Sequence, residues 1–264
     1  MLTASAYLLP SVPTMLIDEQ RGDVTEMIEA VEAAGHRLAA ESPAAIAVVS
    51  ARWSGPGPFH ADDSRRHRSV VDLPAFGVEP RFDCDGDPAL ARAIVERAGK
   101  MGVRAAIALR GVDSGISVPL HFLARGRRFP VVPLSMGEGG AGEHRAWGAA
   151  IRSTLEAWPE RVAFAVGGAL SWHLHAFNLR RDVPECADLD DRVLGALRRG
   201  AWEELEPIAR RLGARAHPEA DLLHLEVMRG FLHEDTPATV LEHERSPGIG
   251  TALVEFSIGA SSGS

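Results

Sequence analysis

The chain has 264 residues, 45% hydrophobic and 24% charged, with a net charge of -8 and a pI near 5.8. That is enough for one large domain with its own core, and the acidic balance argues against nucleic acid or an anionic membrane as partner. Two distant cysteines, Cys84 and Cys186, without a CxxC spacing, exclude a disulfide scaffold; with no leader pattern and no run near the roughly 20 apolar residues of a membrane helix, they point to a cytoplasmic protein.

Residues 3–9 read as a buried strand ending at Pro10, with a turn-like loop over 10–14. Asp23 or Thr25 can cap a helix whose apolar face carries Met27, Ile28, Val31, Ala34 and Leu38. Residues 44–50 form a continuous apolar run, the pattern of a strand covered on both faces. This β-α-β opening implies a parallel pair with a right-handed crossover. Residues 62–68 are charged and expected to be solvated, and 72–86 read as an irregular excursion or short hairpin over the sheet. Asp87 caps a helix over 88–100 that stops at Gly102.

A buried strand is expected over 105–109, then a loop containing Gly111 and Gly115, a short helix with Pro119 in its first turn, and a second buried strand over 131–135. Residues 143–157 have helical spacing, 162–166 read as a strand, and 188–199 and 202–212 as amphipathic helices separated by Gly200. A further helix is expected over 217–232, strands over 238–243 and 251–258, and a flexible tail over 259–264. No repeat or linker divides the chain. The expectation is a single α/β domain over 1–258, with a central mixed, mostly parallel sheet covered by helices on both faces.

Asp113, Gly115, Val118, Pro119 and Leu120, followed by Val131, Val132, Pro133, Leu134 and Ser135, resemble the loop-helix-strand frame of LigB-type class III extradiol ring-cleavage dioxygenases. Further likeness lies in Gly86-Asp87-Pro88-Ala89-Leu90-Ala91, Met228-Arg229-Gly230 and Pro247-Gly248-Ile249-Gly250-Thr251, so the resemblance runs from Leu8 to Phe256. It implies a LigB-like fold and, for the family's chemistry, Fe(II) held by two His and one Glu with positions open for an aromatic substrate and O₂.

Carried over residue by residue, the first His position holds Ser11 and the second holds Arg52, in Ser50-Ala51-Arg52-Trp53. The carboxylate position falls at Asp221, or at Glu219 with a shift in register. The acid–base His position holds Ser114, and the family's other active-site His corresponds to His173. Ser is a poor ligand for Fe(II), and Arg brings a fixed charge that repels a metal ion. The expectation is therefore a lost metal site with no cofactor, and Arg52 paired with Asp221 in place of iron.

The resemblance then implies a non-catalytic subunit, most like the α subunit of aminophenol-type 1,6-dioxygenases. Its partner would be a homologous catalytic subunit or a second copy of itself. The alternative is an active superfamily enzyme acting on a catechol- or aminophenol-like aromatic, through metal-independent chemistry or Fe(II) on relocated ligands. His173 and His121 would then be catalytic. His60, His173, His175, His217 and His224 are the histidines available for relocation, and His217, Asp221 and His224 share one face if their segment is helical. Asp113, Trp53, Trp172 and His175 are expected to line the pocket. A third reading is a binding protein that holds an aromatic small molecule, with Arg52 on an anionic group.

Overall fold

A computed structural model describes residues 1–78, 81–232 and 235–258. Its strands are β1 (Leu2–Pro10), β2 (Ala45–Ser50), β3 (Phe59–Ala61), β4 (Arg66–His67), β5 (Cys84–Asp85), β6 (Ala105–Ile107), β7 (Val131–Leu134), β8 (Val162–Gly168), β9 (Ala238–Ser246) and β10 (Ile249–Ser257). Its helices are α1 (Thr14–Arg21), α2 (Glu26–Ala40), α3 (Pro88–Lys100), α4 (Ser114–Leu123), α5 (Ala141–Ala157), α6 (Leu174–Asn178), α7 (Pro184–Arg199), α8 (Leu205–Ala216) and α9 (Leu223–Leu232). The tail from 259 lies outside the described residues. Among the described residues no helix is long and apolar enough to cross a membrane.

Eight strands form one mixed sheet in the order β6-β3-β7-β2-β8-β1-β10-β9. Its middle, β7-β2-β8-β1, is parallel, and β10 and β9 extend it antiparallel. The middle strands are apolar along their length because both faces are covered: every residue of β2 and of β8 is buried. One face packs Val49, Phe164, Val166 and Phe256 against residues such as Trp147, Val193 and Phe231 from α5, α7 and α9. The other packs Leu9, Ile46 and Val48 against Met15, Val31 and Phe122 from α1, α2 and α4. This is the expected α/β architecture. The strands β1 and β2 are parallel as anticipated but not adjacent, since β8 inserts between them.

The capping chemistry read from sequence is in place. The Thr25 hydroxyl accepts from the Ile28 N–H, and the Asp87 carboxylate accepts from the Ala89 and Leu90 N–H groups. Other expectations change. α1, for which the sequence reading offers only the turn-like loop over 10–14, starts directly after Pro13. β6 is an edge strand rather than a buried one, with Ile107 38% and Leu109 78% exposed. Within 62–68, Asp62 and His67 are buried rather than solvated. Asp62 accepts N–H bonds from Arg110 and Gly111 at 2.7 Å, and His67 lies 3.6 Å from it.

Pro119 is not in a first turn. α4 begins at Ser114, so Pro119 is in its interior and cannot donate to the Gly115 carbonyl one turn back. That carbonyl packs on Gly167 of β8, where any side chain would collide with it. The helix therefore tolerates its proline by turning the freed carbonyl onto a glycine of the sheet. On the opposite face α5 and α9 approach as closely: Gly148 faces the Val227 carbonyl and Gly230 faces the Arg145 carbonyl.

The expected helix over 217–232 is broken. Residues Glu219–Leu222 form a 3₁₀ turn in which Ala220, Asp221 and Leu222 take φ of 48°, 50° and 62°, and α9 starts only at Leu223. Left-handed backbone is costly at three non-glycine residues in succession. Its effect is to turn the Glu219 side chain inward while Asp221 stays exposed.

Candidate functional site

The parallel strands end together, and the loops that leave β1, β2 and β8 converge there, as ligand-binding loops do in α/β sheets. Ser11 follows β1, Arg52 follows β2, and Ala169 follows β8. Arg52 ties them together. Its Nη1 lies 3.2 Å from Glu219 Oε1, and both side chains are buried, 7% and 6% exposed. Its Nη2 donates to the Ser11 carbonyl at 3.3 Å and to Ser11 Oγ at 3.4 Å. The guanidinium face sits 3.8 Å from the centre of the Trp172 ring. The second oxygen of Glu219 accepts from the Ala169 N–H.

A second set of contacts fixes the β2 loop. Ser50 Oγ donates to Asp113 Oδ1 at 2.7 Å and accepts from the Arg52 N–H at 3.1 Å. Asp113 also caps α4 through the Gly115 N–H. Burial raises the Asp113 pKa above the usual carboxylate range, and its Oδ2 has no hydrogen-bond partner, although Arg110 lies 3.6 Å away. Ser114 donates both its N–H and its hydroxyl to Asp72, at 3.1 and 2.7 Å. Asp72 belongs to the segment read from sequence as an excursion. That segment continues to Phe76, which stacks on Trp172 with ring centres 6.2 Å apart and contacts Phe177 at 5.1 Å.

Beside these groups opens a cavity of about 630 Å³. Arg52, Asp72, Trp172, His217, Glu219 and Asp221 supply its polar and aromatic lining, with Leu73, Met136 and Leu223 among its apolar residues. His144, on the buried face of α5, is also in the wall. Its Nδ1 pairs with the Gly140 carbonyl at 2.8 Å, which leaves Nε2 as the lone-pair nitrogen, and Nε2 has no partner. Burial lowers the His144 pKa. Behind the site His224 is fully buried with both ring nitrogens unpartnered, and burial pushes its pKa down to about 4.

The family model for the catalytic LigB subunit of aromatic ring-opening dioxygenase matches residues 5–256. The chain belongs to the LigB family. A 3,4-dihydroxyphenylacetate 2,3-dioxygenase from Escherichia coli is 26% identical over 176 residues, which cover 60% of this chain and 63% of that protein. The match thus spans less than two thirds of the relative's length. The crystal structure of the uncharacterized protein JW3007 from Escherichia coli K12 superposes with a TM-score of 0.71 at 18% identity, covering 96% of this chain and 99% of that one. At that identity the likeness concerns the fold.

Three positions that LigB resemblance singles out in the sequence, Ser11, Arg52 and the late carboxylate, do meet in space. The carboxylate that meets Arg52 is Glu219, the alternative register, and not Asp221. The left-handed turn at 220–222 is the reason, and helical spacing gave no sign of it. The same turn separates His217, Asp221 and His224: the first two are exposed and the third is buried. Among the described residues no three His, Cys, Asp or Glu side chains are grouped as a metal site.

The other candidates scatter. Trp172 lines the cavity. Asp113 lies beneath it as a helix cap, and Trp53 stacks on His60 with ring centres 6.0 Å apart. His173 caps α6 through the Ala176 N–H and stacks on His217 at 4.2 Å, while His175 is exposed. His121 lines a separate cavity of about 560 Å³ and pairs with Glu19 at 2.7 Å. Among the lining residues that the sequence did not single out are His144 and Asp72. His144 shares the core face of α5 with Trp147 and Ile151, a usable signal; Asp72 lies in a segment without periodicity and gave none.

Proposed function

We propose that this LigB-family chain is a non-catalytic subunit, in which a buried ion pair stands where the family's catalytic members hold ferrous ion. The observation that carries the reading is the Arg52–Glu219 pair, 3.2 Å apart with both side chains largely buried, and Ser11 on the same guanidinium. The donor set does not fit Fe(II): a hydroxyl, a permanently protonated guanidinium and one carboxylate already bound to that cation. The pair satisfies Glu219, which alone at this depth would carry an expensive unpaired charge. The acid–base position is likewise turned to structure, because the Ser114 hydroxyl is committed to Asp72.

In this reading the LigB-like frame serves assembly with a catalytic LigB-type subunit, or with a second copy of the chain. The aromatic ring-opening chemistry in the names of the family and of the Escherichia coli relative belongs to such a partner. The test is iron content and ring-cleavage activity of the chain expressed alone, and again with a LigB-type subunit that carries the intact His-His-Glu set. The expected result is no iron and no turnover alone, and a stable complex with iron only in the partner. Stoichiometric iron in the chain alone, or ring cleavage by it, overturns the proposal.

A further inference from the structure

The cavity at the strand ends is larger than the ion pair requires, and its charges are unbalanced. Arg52 is the one cation among its lining residues apart from the histidines, facing three carboxylates, Asp72, Glu219 and Asp221. Arg52 already uses one terminal nitrogen on Glu219, the other on Ser11 and its face on Trp172, and its Nε is buried without a partner. With both terminal nitrogens taken and Nε closed off from solvent, Arg52 gripping an anionic group does not suit this geometry. Asp72 is hydrogen-bonded to Ser114 but has no cationic partner, and Asp221 is exposed and has none either, among the described residues. A second observation points the same way. His144 is 1% exposed, lies in the cavity wall, and has a buried Nε2 without a hydrogen-bond partner.

We propose that this cavity is a binding site for a small organic ammonium, a protonated amine on an apolar or aromatic body. The ammonium would lie between Asp72 and Asp221, where its donors and charge complete two carboxylates. The body would pack on Leu73, Met136 and Leu223 beside the edge of Trp172. Anionic aromatics are disfavoured because they meet two uncompensated carboxylates and no available cation. The inference deepens the non-catalytic reading and rests on the same committed Arg52.

The test is isothermal titration of the full chain with three probes of similar size: tyramine, 4-ethylphenol and 3-(4-hydroxyphenyl)propionate. Tyramine is expected to bind roughly tenfold or more tightly than 4-ethylphenol, with the propionate weakest. Asp221→Asn, an exposed change that leaves the fold intact, should weaken tyramine severalfold and leave 4-ethylphenol unchanged; Asp72→Asn should act the same way. Equal binding of the three probes, a preference for the propionate, or no binding by any at millimolar concentration overturns the proposal. Iron is measured on the same samples. Iron-free protein that ignores tyramine rejects the ammonium site alone, whereas iron-loaded protein rejects the reading beneath it.

Discussion

Removing one partner of the Arg52–Glu219 pair should cost far more than removing both. In Arg52→Met the Glu219 carboxylate stays where the 3₁₀ turn holds it, with only the Ala169 N–H to stabilise its charge. Breaking a buried pair in this way costs about 3–5 kcal/mol, and the lost stacking on Trp172 adds about 1 kcal/mol. Glu219→Gln keeps an oxygen for Ala169 but strands the guanidinium, at a cost of about 2–4 kcal/mol. The double variant Arg52→Met/Glu219→Gln removes both charges while keeping volume, and should fall well short of the summed singles, with a coupling of about 2 kcal/mol or more. Equilibrium urea unfolding followed by tryptophan fluorescence reads all four proteins. If each single change costs under about 1 kcal/mol and the two simply add, the pair is not the buried, mutually dependent unit described here.

Three further outcomes are expected. Gly148→Ala, which sets a methyl group against the Val227 carbonyl at the α5–α9 crossing, should destabilise by about 1–3 kcal/mol in the same unfolding assay, since backbone on the far side cannot yield. Stability should fall as pH drops from about 6.5 toward 4: His224 is held neutral by burial with its pKa pushed down to about 4, so the unfolded chain takes up the proton first. Its contribution is fully present above about pH 6.5 and reaches a loss of about 3 kcal/mol near pH 4; His224→Leu should flatten that slope, and an unchanged slope would reject the assignment. Burial pushes the Cys84 thiol up to about 12 and Cys186 up to about 11, so a disulfide reagent at pH 8 should label both slowly in the native protein and quickly in urea.

Most of the architecture was legible because its signals are local. A short, Val/Ile-bearing apolar run such as Ala45–Ser50 has the length and composition of a strand with both faces covered, and Asp87-Pro88 at one end and Gly102 at the other bracket α3 by backbone chemistry that needs no tertiary context. The edge position of β6 has no local signal, because its apolar residues look the same whether neighbouring strands cover them or not, and only the strand order puts them at an edge. α1 lacks a side-chain cap, so its start carries no capping signal in the sequence.

The site divides in the same way. The sequence by itself determined which side chains stand at the strand ends: a hydroxyl at Ser11, a guanidinium at Arg52 and a hydroxyl at Ser114, each inside a LigB-like frame. Only the tertiary structure decided which carboxylate answers Arg52. The resemblance puts the carboxylate first at Asp221, but three left-handed residues reverse the chain just before α9 and deliver Glu219 instead. Residue type fixes what an atom can bond to, whereas the partner it meets depends on backbone torsions set by the packing of segments far apart in the chain.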